Sequence, residues 1–111
     1  MKEGDVVLSK IAQSDGAEKV RPVVLLRRLP PFDDWLVCGI TTQLRHCVVG
    51  FDELLMPGDS DFASSGIKSP SLVRLGFLAV RPLNRIVGVI GSLSSPRHQR
   101  LLQRLSDLLR P

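Results

Sequence analysis

Residues 21–26, with the sequence RPVVLL, constrain the fold most tightly because they join a buried-strand pattern to a charged start. An unbroken run of apolar, mostly branched side chains packs well on a pleated surface, so this segment predicts a core strand. Pro22 lacks a backbone N–H and therefore suits the beginning of that strand. A second apolar run, residues 35–40, leads directly into Thr41. An arginine and a threonine at the ends of two neighbouring strands are able to hold a phosphate together, so we expect chemistry where Arg21 and Thr41 meet.

The other apolar segments predict a domain built mainly of strands. Each segment is short and bounded by turn-forming residues, which is typical of strands. We expect strands near residues 5–10, 22–28, 35–42, 46–51, 71–75, 77–81 and 85–91. Turn residues predict short loops at 15–16 and 30–34 and a long surface loop over 56–69. Glycines inside the last strand indicate a bend, as expected where a sheet curls into a small barrel.

The C-terminal segment carries a helical pattern. Ser94 or Ser95 is able to cap this helix, and Pro96 suits its first turn because the N–H that proline lacks has no partner there. Leucines then recur at helical spacing, at positions 101, 102, 105, 108 and 109. The expected fold is mainly β, a small SH3-like curled barrel with one C-terminal helix, in a single domain over residues 1–111.

Composition favours a folded domain with an anionic partner. The chain is 43% hydrophobic and 23% charged, which excludes a disordered tail, and its formal net charge of +4 suits nucleic acid. No apolar run reaches the length of a membrane span and no signal-peptide pattern begins the chain, so we expect a cytoplasmic protein with no membrane contact. Cys38 and Cys47 are expected to be small buried hydrophobes. Because cysteine and histidine are not spaced as ligands, no metal and no cofactor are expected.

Five segments, taken in order, resemble the MazF/PemK family, the toxin ribonucleases of bacterial toxin–antitoxin systems. They are residues 4–8 (GDVVL), 21–26 (RPVVLL), 39–43 (GITTQ), 65–75 (SGIKSPSLVRL) and 85–94 (RIVGVIGSLS), which run through nearly the whole chain. The resemblance implies the same small curled fold, in a homodimer that a cognate antitoxin protein silences. It also implies a metal-independent endoribonuclease for single-stranded RNA, in which the 2′-hydroxyl attacks the adjacent phosphate and leaves a 2′,3′-cyclic phosphate.

The resemblance carries catalytic roles onto three residues. Arg21 takes the place of the family's Arg-Pro arginine, as a phosphate clamp and candidate acid, and Thr41 that of a threonine that donates to a phosphate oxygen. Arg74 takes the place of an arginine that some members use as an acid. Arginine suits these roles because its planar fork stays charged and binds two oxygens at once. Two residues later, where those members carry an aspartate as base, this chain has Gly76.

The missing aspartate leaves the general base open between two carboxylates of the first loop. Asp15 and Glu18 lie close in sequence to Arg21, and Lys19 beside them is a candidate phosphate contact. The alternative for Asp15 is a turn with Gly16, which an aspartate side chain supports. The alternative for Glu18 is a solvated charge.

Four residues that follow the strand ending at Thr41 are candidate RNA contacts: Thr42, Gln43, Arg45 and His46. Gln43 would read a base edge or brace the loop, and Arg45 would steer RNA electrostatically. Imidazole as a side-chain type suits a general base, which makes His46 a candidate, although a surface histidine is the preferred interpretation. Aromatic residues are few, which argues against a stacking platform of the kind that general single-strand binders use.

Two functions without cleavage remain as alternatives. The same fold serves the gyrase-poisoning toxin CcdB, which binds a protein and cuts nothing, and Gly76 is compatible with such a relative. The pair of Arg21 and Thr41 argues against it, because a gyrase binder has no reason to present both. The third hypothesis is a regulatory or RNA-binding module that keeps the phosphate clamp without cutting RNA.

Overall fold

A computed structural model describes residues 1–12 and 14–111, and these residues form six strands, two short 3₁₀ turns and one α-helix. The strands are β1 (Asp5–Ala12), β2 (Glu18–Leu29), β3 (Asp34–Thr41), β4 (Glu53–Leu55), β5 (Ser71–Arg81) and β6 (Ile86–Ser92). The helix is α1 (Ser95–Leu109), and the 3₁₀ turns cover Leu44–His46 and Leu83–Arg85. Within the described part of the chain, no helix is both long enough and apolar enough to cross a bilayer.

The strands form one antiparallel sheet in the order β4-β5-β3-β2-β1-β6. Among the described residues, the two edge strands β4 and β6 do not pair with each other, so the sheet curls without closing into a hydrogen-bonded barrel. The loop between β4 and β5 lies across the opening, where the Ser92 N–H donates to the Ser64 carbonyl at 2.9 Å. Gly91 permits this approach, because a Cβ there would lie 2.3 Å from that same carbonyl oxygen. The expected mainly β fold with a C-terminal helix is confirmed, and the barrel is open.

The predicted strand over residues 46–51 is wrong. Its first residue ends a 3₁₀ turn, and Gly50 adopts a φ of +82°, which turns the chain. The Asp52 carboxylate accepts the Val48 N–H at 2.8 Å and stabilises this turn. Val49 has an apolar side chain that looks strand-like in sequence, yet it is 94% exposed. The segment is therefore a surface turn, and the short strand β4 begins only after it.

The two strands predicted over 71–75 and 77–81 are one strand, β5, with a bulge at its centre. Arg74 pairs with Gly39, whereas Leu78 pairs with the preceding residue Cys38, so residues 75–77 have no partner in β3. Gly76 lies inside this bulge, and a bulge bends a strand without ending it. The predicted loops at 15–16, 30–34 and 56–69 are confirmed, except that Asp34 already belongs to β3.

Alternating side chains of the sheet build two apolar clusters, one on each face. The larger cluster lies beneath α1 and contains Val6, Val24, Leu26, Cys38, Ile40, Leu55, Val73, Leu75, Leu93, Leu101 and Leu105. The smaller cluster contains Val7, Ile11, Val23, Leu25, Trp35 and Val37. Burial, together with the negative charge of Asp52, raises the pKa of the Cys38 thiol to about 12. Cys38 is therefore the inert core residue that the sequence predicts.

The helix begins as predicted. The Ser94 hydroxyl accepts the Arg97 N–H at 3.3 Å as an N-cap, and Pro96 lies in the first turn. From this turn the Arg97 side chain reaches back to the acidic segment around β4. Its guanidinium contacts Asp61 at 2.8 Å, Asp59 at 2.9 Å and Glu53 at 3.2 Å.

Two further arginines of α1, Arg100 and Arg104, also pair with Glu53. We call these six residues the Arg97 cluster: Glu53, Asp59, Asp61, Arg97, Arg100 and Arg104. Burial alone would raise the pKa of Asp61, but hydrogen bonds from Arg97 and Ser94 and the charge of Arg97 outweigh it and lower that pKa to about 2. The cluster therefore joins the helix to the sheet edge, and Arg97 holds the Asp61 carboxylate in its ionised form.

Candidate active site

A cleft of about 510 Å³ opens where the start of β2, the end of β3 and the middle of β5 come together. Its volume lies within the range of ordinary ligand sites. Its lining combines arginines, hydroxyls and one amide with an apolar floor. The lining residues are Ile11, Ala12, Ser14, Arg21, Pro22, Val23, Gly39, Ile40, Thr41, Thr42, Gln43, Ser71, Arg74 and Phe77.

Strand register explains why Arg21 and Thr41 meet. Val23 and Gly39 are paired across β2 and β3, and Arg21 and Thr41 lie two residues further out along their strands. Because side chains of a strand alternate between faces, all four positions project to the same face. Arg74 pairs with Gly39 from the other side, in β5. The register of three strands thus brings two arginines and a threonine to one cleft, as the sequence predicts for Arg21 and Thr41.

The charged side chains that line the cleft are both positive. Arg21 and Arg74 both line it, and the lining residues that the structure describes include no carboxylate and no histidine. Within the described residues, neither guanidinium forms an ion pair or a hydrogen bond with another side chain, and both side chains are exposed. Two unneutralised guanidinium forks in one cleft are suited to an anion with several oxygens, such as a phosphodiester.

The hydroxyl groups of the cleft differ in whether their protons remain available to a ligand. Thr41 Oγ1 accepts the N–H of Gln43 at 3.1 Å, so its own proton remains available to a ligand oxygen. The Ser71 hydroxyl instead donates to the Ser69 carbonyl at 2.9 Å, and its proton is used within the protein. Thr42 and Gln43 are exposed at the rim. Thr41 is therefore the hydroxyl donor best placed beside the arginines.

The two predicted base candidates lie outside the cleft lining. Asp15 accepts the Ala17 N–H at 2.9 Å and supports the turn between β1 and β2. Glu18 begins β2 and pairs with Arg85 at 2.9 Å. Each carboxylate therefore already has a partner within the protein.

Four other residues singled out from the sequence also lie outside the lining. Lys19 is exposed on β2, opposite Ile11. Arg45 and His46 are exposed in the 3₁₀ turn after β3. Gly76 lies in the β5 bulge, and a Cβ there would meet only the Phe51 ring, at 3.8 Å. Of the ten predicted site residues, the structure gathers Arg21, Thr41, Thr42, Gln43 and Arg74.

Phe77 is the aromatic residue of the lining, and the sequence did not predict it as part of the site. It lies three positions after Arg74, a separation that places two side chains on opposite faces of a regular strand. The β5 bulge changes this alternation, and both residues line the cleft. The signal in the sequence was Gly76 between them, since an interior glycine often marks a bulge.

In the described chain, no group of three or more histidine, cysteine, aspartate or glutamate side chains is arranged to hold a metal ion. The polar groups that line the cleft are guanidinium, hydroxyl and amide groups, each of which is able to donate a hydrogen bond to an anion.

Comparisons with known proteins bear on the fold. No protein-family model matches the sequence, and no curated protein matches it either. Among solved structures, the chain is similar to the toxin MazF-mt6 of Mycobacterium tuberculosis, with a TM-score of 0.67 and 22% sequence identity over 95% of both chains. The fold is therefore a MazF-like fold, as the ordered segments predict.

Proposed function

We propose that this chain is the toxin of a toxin–antitoxin system and acts as a metal-independent endoribonuclease on single-stranded RNA. The observation that carries the proposal is the cleft in which Arg21, Arg74 and Thr41 lie together, with no neutralising carboxylate among the lining residues that the structure describes. Support for the biological role comes from the MazF-like fold and from the ordered segments of the sequence. A cationic cleft on a MazF-like fold is consistent with this activity.

In the proposed reaction the 2′-oxygen of the substrate attacks the adjacent phosphorus. A P–O2′ bond forms and the P–O5′ bond breaks, which gives a 2′,3′-cyclic phosphate and a 5′-hydroxyl. The 2′-hydroxyl loses one proton and the leaving 5′-oxygen gains one. Arg21 and Arg74 would bind the non-bridging oxygens, whose negative charge grows in the phosphorane, and Thr41 would donate to one of them. These contacts strengthen in the transition state, which is how they accelerate cleavage.

Proton removal from the 2′-hydroxyl has two proposed acceptors, Asp15 and Glu18. Glu18 would act only after its ion pair with Arg85 at 2.9 Å opens, and Asp15 only after it releases the Ala17 N–H. Glu18→Gln and Asp15→Asn separate the two, because only the variant that lacks the true acceptor loses the ascending limb of the pH–rate profile. Lys19, Thr42, Gln43, Arg45 and His46 are proposed as contacts to the flanking RNA.

The test is incubation of the purified protein with a long single-stranded RNA in EDTA, beside Arg21→Ala. The proposal predicts discrete cuts that end in cyclic phosphate for the wild type and not for the variant. Arg27→Ala is the matched control, because Arg27 is an exposed arginine of the same strand that pairs with Glu3 outside the cleft. Intact RNA at high protein concentration would contradict the proposal.

Binding of RNA without cleavage is the second candidate function. The specific observation in its favour is that the described residues of the cleft lining include neither a carboxylate nor a histidine. By the resemblance, Gly76 also takes the place at which some MazF/PemK members carry an aspartate. The same assay distinguishes the two functions, since a binding-only protein would retain Arg21-dependent affinity for RNA that it leaves intact.

We further propose that the protein assembles as a homodimer and that a cognate antitoxin covers the cleft. The edge strand β6 supports self-association, because Val87 and Val89 are exposed there and, within the described chain, β6 pairs on one side only with β1. Sedimentation of the wild type beside Val87→Lys tests the dimer, which the added charge should dissociate. An antitoxin segment with acidic side chains would complement Arg21 and Arg74.

A further inference from the structure

Phe77 reaches the cleft because of the bulge in β5. Arg74 opposes Gly39 and Leu78 opposes Cys38, so three residues of β5 are inserted between two successive residues of β3. The insertion brings Phe77 to the same cleft as Arg74. Bulges next to functional sites commonly redirect a side chain in this way. An aromatic side chain is thus presented beside the two arginines.

Gly39 makes room for the Phe77 ring. A Cβ at position 39 would lie 3.0 Å from Cδ1 and 3.3 Å from Cγ of Phe77, closer than ordinary van der Waals contact. One side of the aromatic group is therefore packed against the backbone of β3, while the residue as a whole is 39% exposed and lines the cleft. An immobilised ring with an exposed surface loses little entropy when a flat ligand packs on it.

A buried carboxylate fixes the bulge. The Leu75 N–H, which the bulge leaves without a partner in β3, donates to Asp52 Oδ1 at 2.9 Å. The other oxygen of Asp52 accepts the Val48 N–H from the turn that follows β3. Leu75 itself is fully buried in the larger apolar cluster. Asp52 and Leu75 therefore determine where the next residues of β5, including Phe77, lie.

We propose that Phe77 stacks on a nucleobase of the RNA whose phosphate Arg21 and Arg74 hold. This inference deepens the proposed function, since it names the base-binding group of the same cleft. Stacking on an aromatic side chain needs a base that is free of a duplex, so Phe77 selects single-stranded RNA. A single ring beside two guanidinium groups serves one nucleotide, which is consistent with a chain poor in aromatic residues.

The experiment measures affinity for a short 2′-O-methyl RNA, which cannot be cut because the attacking hydroxyl is blocked. A matched set of probes carries an abasic nucleotide at each position in turn. Phe77→Leu should weaken binding of the intact probe by about 5- to 150-fold. One abasic probe should lack the base that Phe77 contacts, and the wild type should bind this probe as weakly as Phe77→Leu does. The loss of affinity from the substitution and the loss from the missing base should therefore not add. Leu78→Ala is the control, because Leu78 is 42% exposed in the same strand and does not line the cleft.

Unchanged affinity of Phe77→Leu, or an equal loss on every probe, would overturn the inference and leave Phe77 as packing for Gly39. Should Phe77→Leu fail to fold, Phe77→Trp carries the test. Its added fluorescence should be quenched by the intact probe and not by the one abasic probe, and quenching by all probes or by none would contradict stacking. Cleavage of unmodified RNA is read separately: cuts that persist unaltered in Phe77→Leu remove the inference and leave the proposed function standing.

Discussion

Arg21 and Arg74 in the cleft form no ion pair within the described chain, whereas Arg97, in the first turn of α1, is 6% exposed and contacts three carboxylates. The two regions use the same residue type for different purposes. A buried guanidinium needs partners to offset the loss of hydration, and once paired it stabilises the fold. An exposed guanidinium without a partner adds little to stability and keeps its charge for a ligand.

The comparison also locates the positive charge that an anion would meet. The sequence places acidic residues over 51–61 and four arginines near the C-terminus, and the Arg97 cluster joins these two stretches. Much of the charge at the C-terminus is therefore neutralised within the fold. In contrast, the described residues of the cleft lining include two arginines and no carboxylate. The net charge of the chain does not distinguish these two regions. The ion pairs do, because the arginines of the Arg97 cluster form them and, among the described residues, those of the cleft do not.

The largest expected effect comes from a substitution in the buried Arg97 cluster. Arg97→Ala leaves Asp61 and Glu53 buried with fewer partners, and the free energy of unfolding should fall by about 3–5 kcal/mol. Urea denaturation measures it. Arg110→Ala, an exposed change near the end of the chain, should stay within about 0.5 kcal/mol of the wild type. A loss below about 1 kcal/mol for Arg97→Ala would show that the cluster does not anchor the helix.

A substitution in the cleft should instead lower the rate of RNA cleavage and leave the stability unchanged. Arg74→Ala removes a donor to the developing phosphorane charge and should lower the RNA cleavage rate by about 100- to 1,000-fold. Its free energy of unfolding should stay within about 0.5 kcal/mol of the wild type, because Arg74 is exposed. Single-turnover kinetics and urea denaturation on the same preparation provide both values. A large loss of stability with normal cleavage would reverse the roles assigned to the two regions.

Asp52→Asn tests how the fold supports the cleft. The carboxylate accepts two backbone N–H groups, and an amide places its own N–H against one of them. We expect a loss of about 1–3 kcal/mol in the free energy of unfolding, because a buried donor loses its acceptor. RNA affinity should fall as well, since the β5 bulge presents both Arg74 and Phe77. If Asp52→Asn lowers the free energy of unfolding but leaves the RNA affinity unchanged, the bulge does not position the residues that bind RNA.

The smallest expected effect is a dependence of stability on acid pH. Because the pKa of Asp61 is lowered from 3.8 to about 2 in the folded protein, its contribution is present above pH 4 and is lost as the pH falls toward 2. Unfolding measured across this range should show a decline that Asp61→Asn reduces. Asp107→Asn, in the exposed last turns of α1, should leave the decline unaltered.

Local patterns in the sequence predict most of the fold. The run at 23–26 is fully buried in β2, and the serine cap and Pro96 start α1 where expected. The error at 46–51 arose because apolar residues such as Val49 resemble a strand, while the Asp52 side chain and the positive φ of Gly50 stabilise a turn. The hydrogen bonds of the Asp52 side chain depend on its position in the folded chain. The spacing of apolar residues in the sequence does not predict that position.

The site was predictable to the extent that strand register is regular. Thr41 ends β3, and the antiparallel register of β2 and β3 brings Arg21, near the start of β2, to the same place. Phe77 was missed because it enters the cleft through a bulge, and a three-residue insertion cannot be read from alternation. The partners of Asp15 and Glu18 were likewise hidden: Arg85, which holds Glu18, lies far along the chain and reaches it only through the sheet.

Salt dependence of RNA affinity tests the central claim most directly, namely that the unpaired arginines of the cleft bind phosphates and the paired ones do not. Affinity for the uncleavable 2′-O-methyl RNA is measured against salt concentration for Arg21→Ala, Arg74→Ala and Arg100→Ala. Each cleft substitution should reduce the slope of log affinity against log salt by about 0.7, the value for one phosphate contact on a single strand. Arg100→Ala, which removes a partner of Glu53, should leave the slope unchanged. Equal slopes for the wild type and both cleft variants, or a reduced slope for Arg100→Ala alone, would contradict the account.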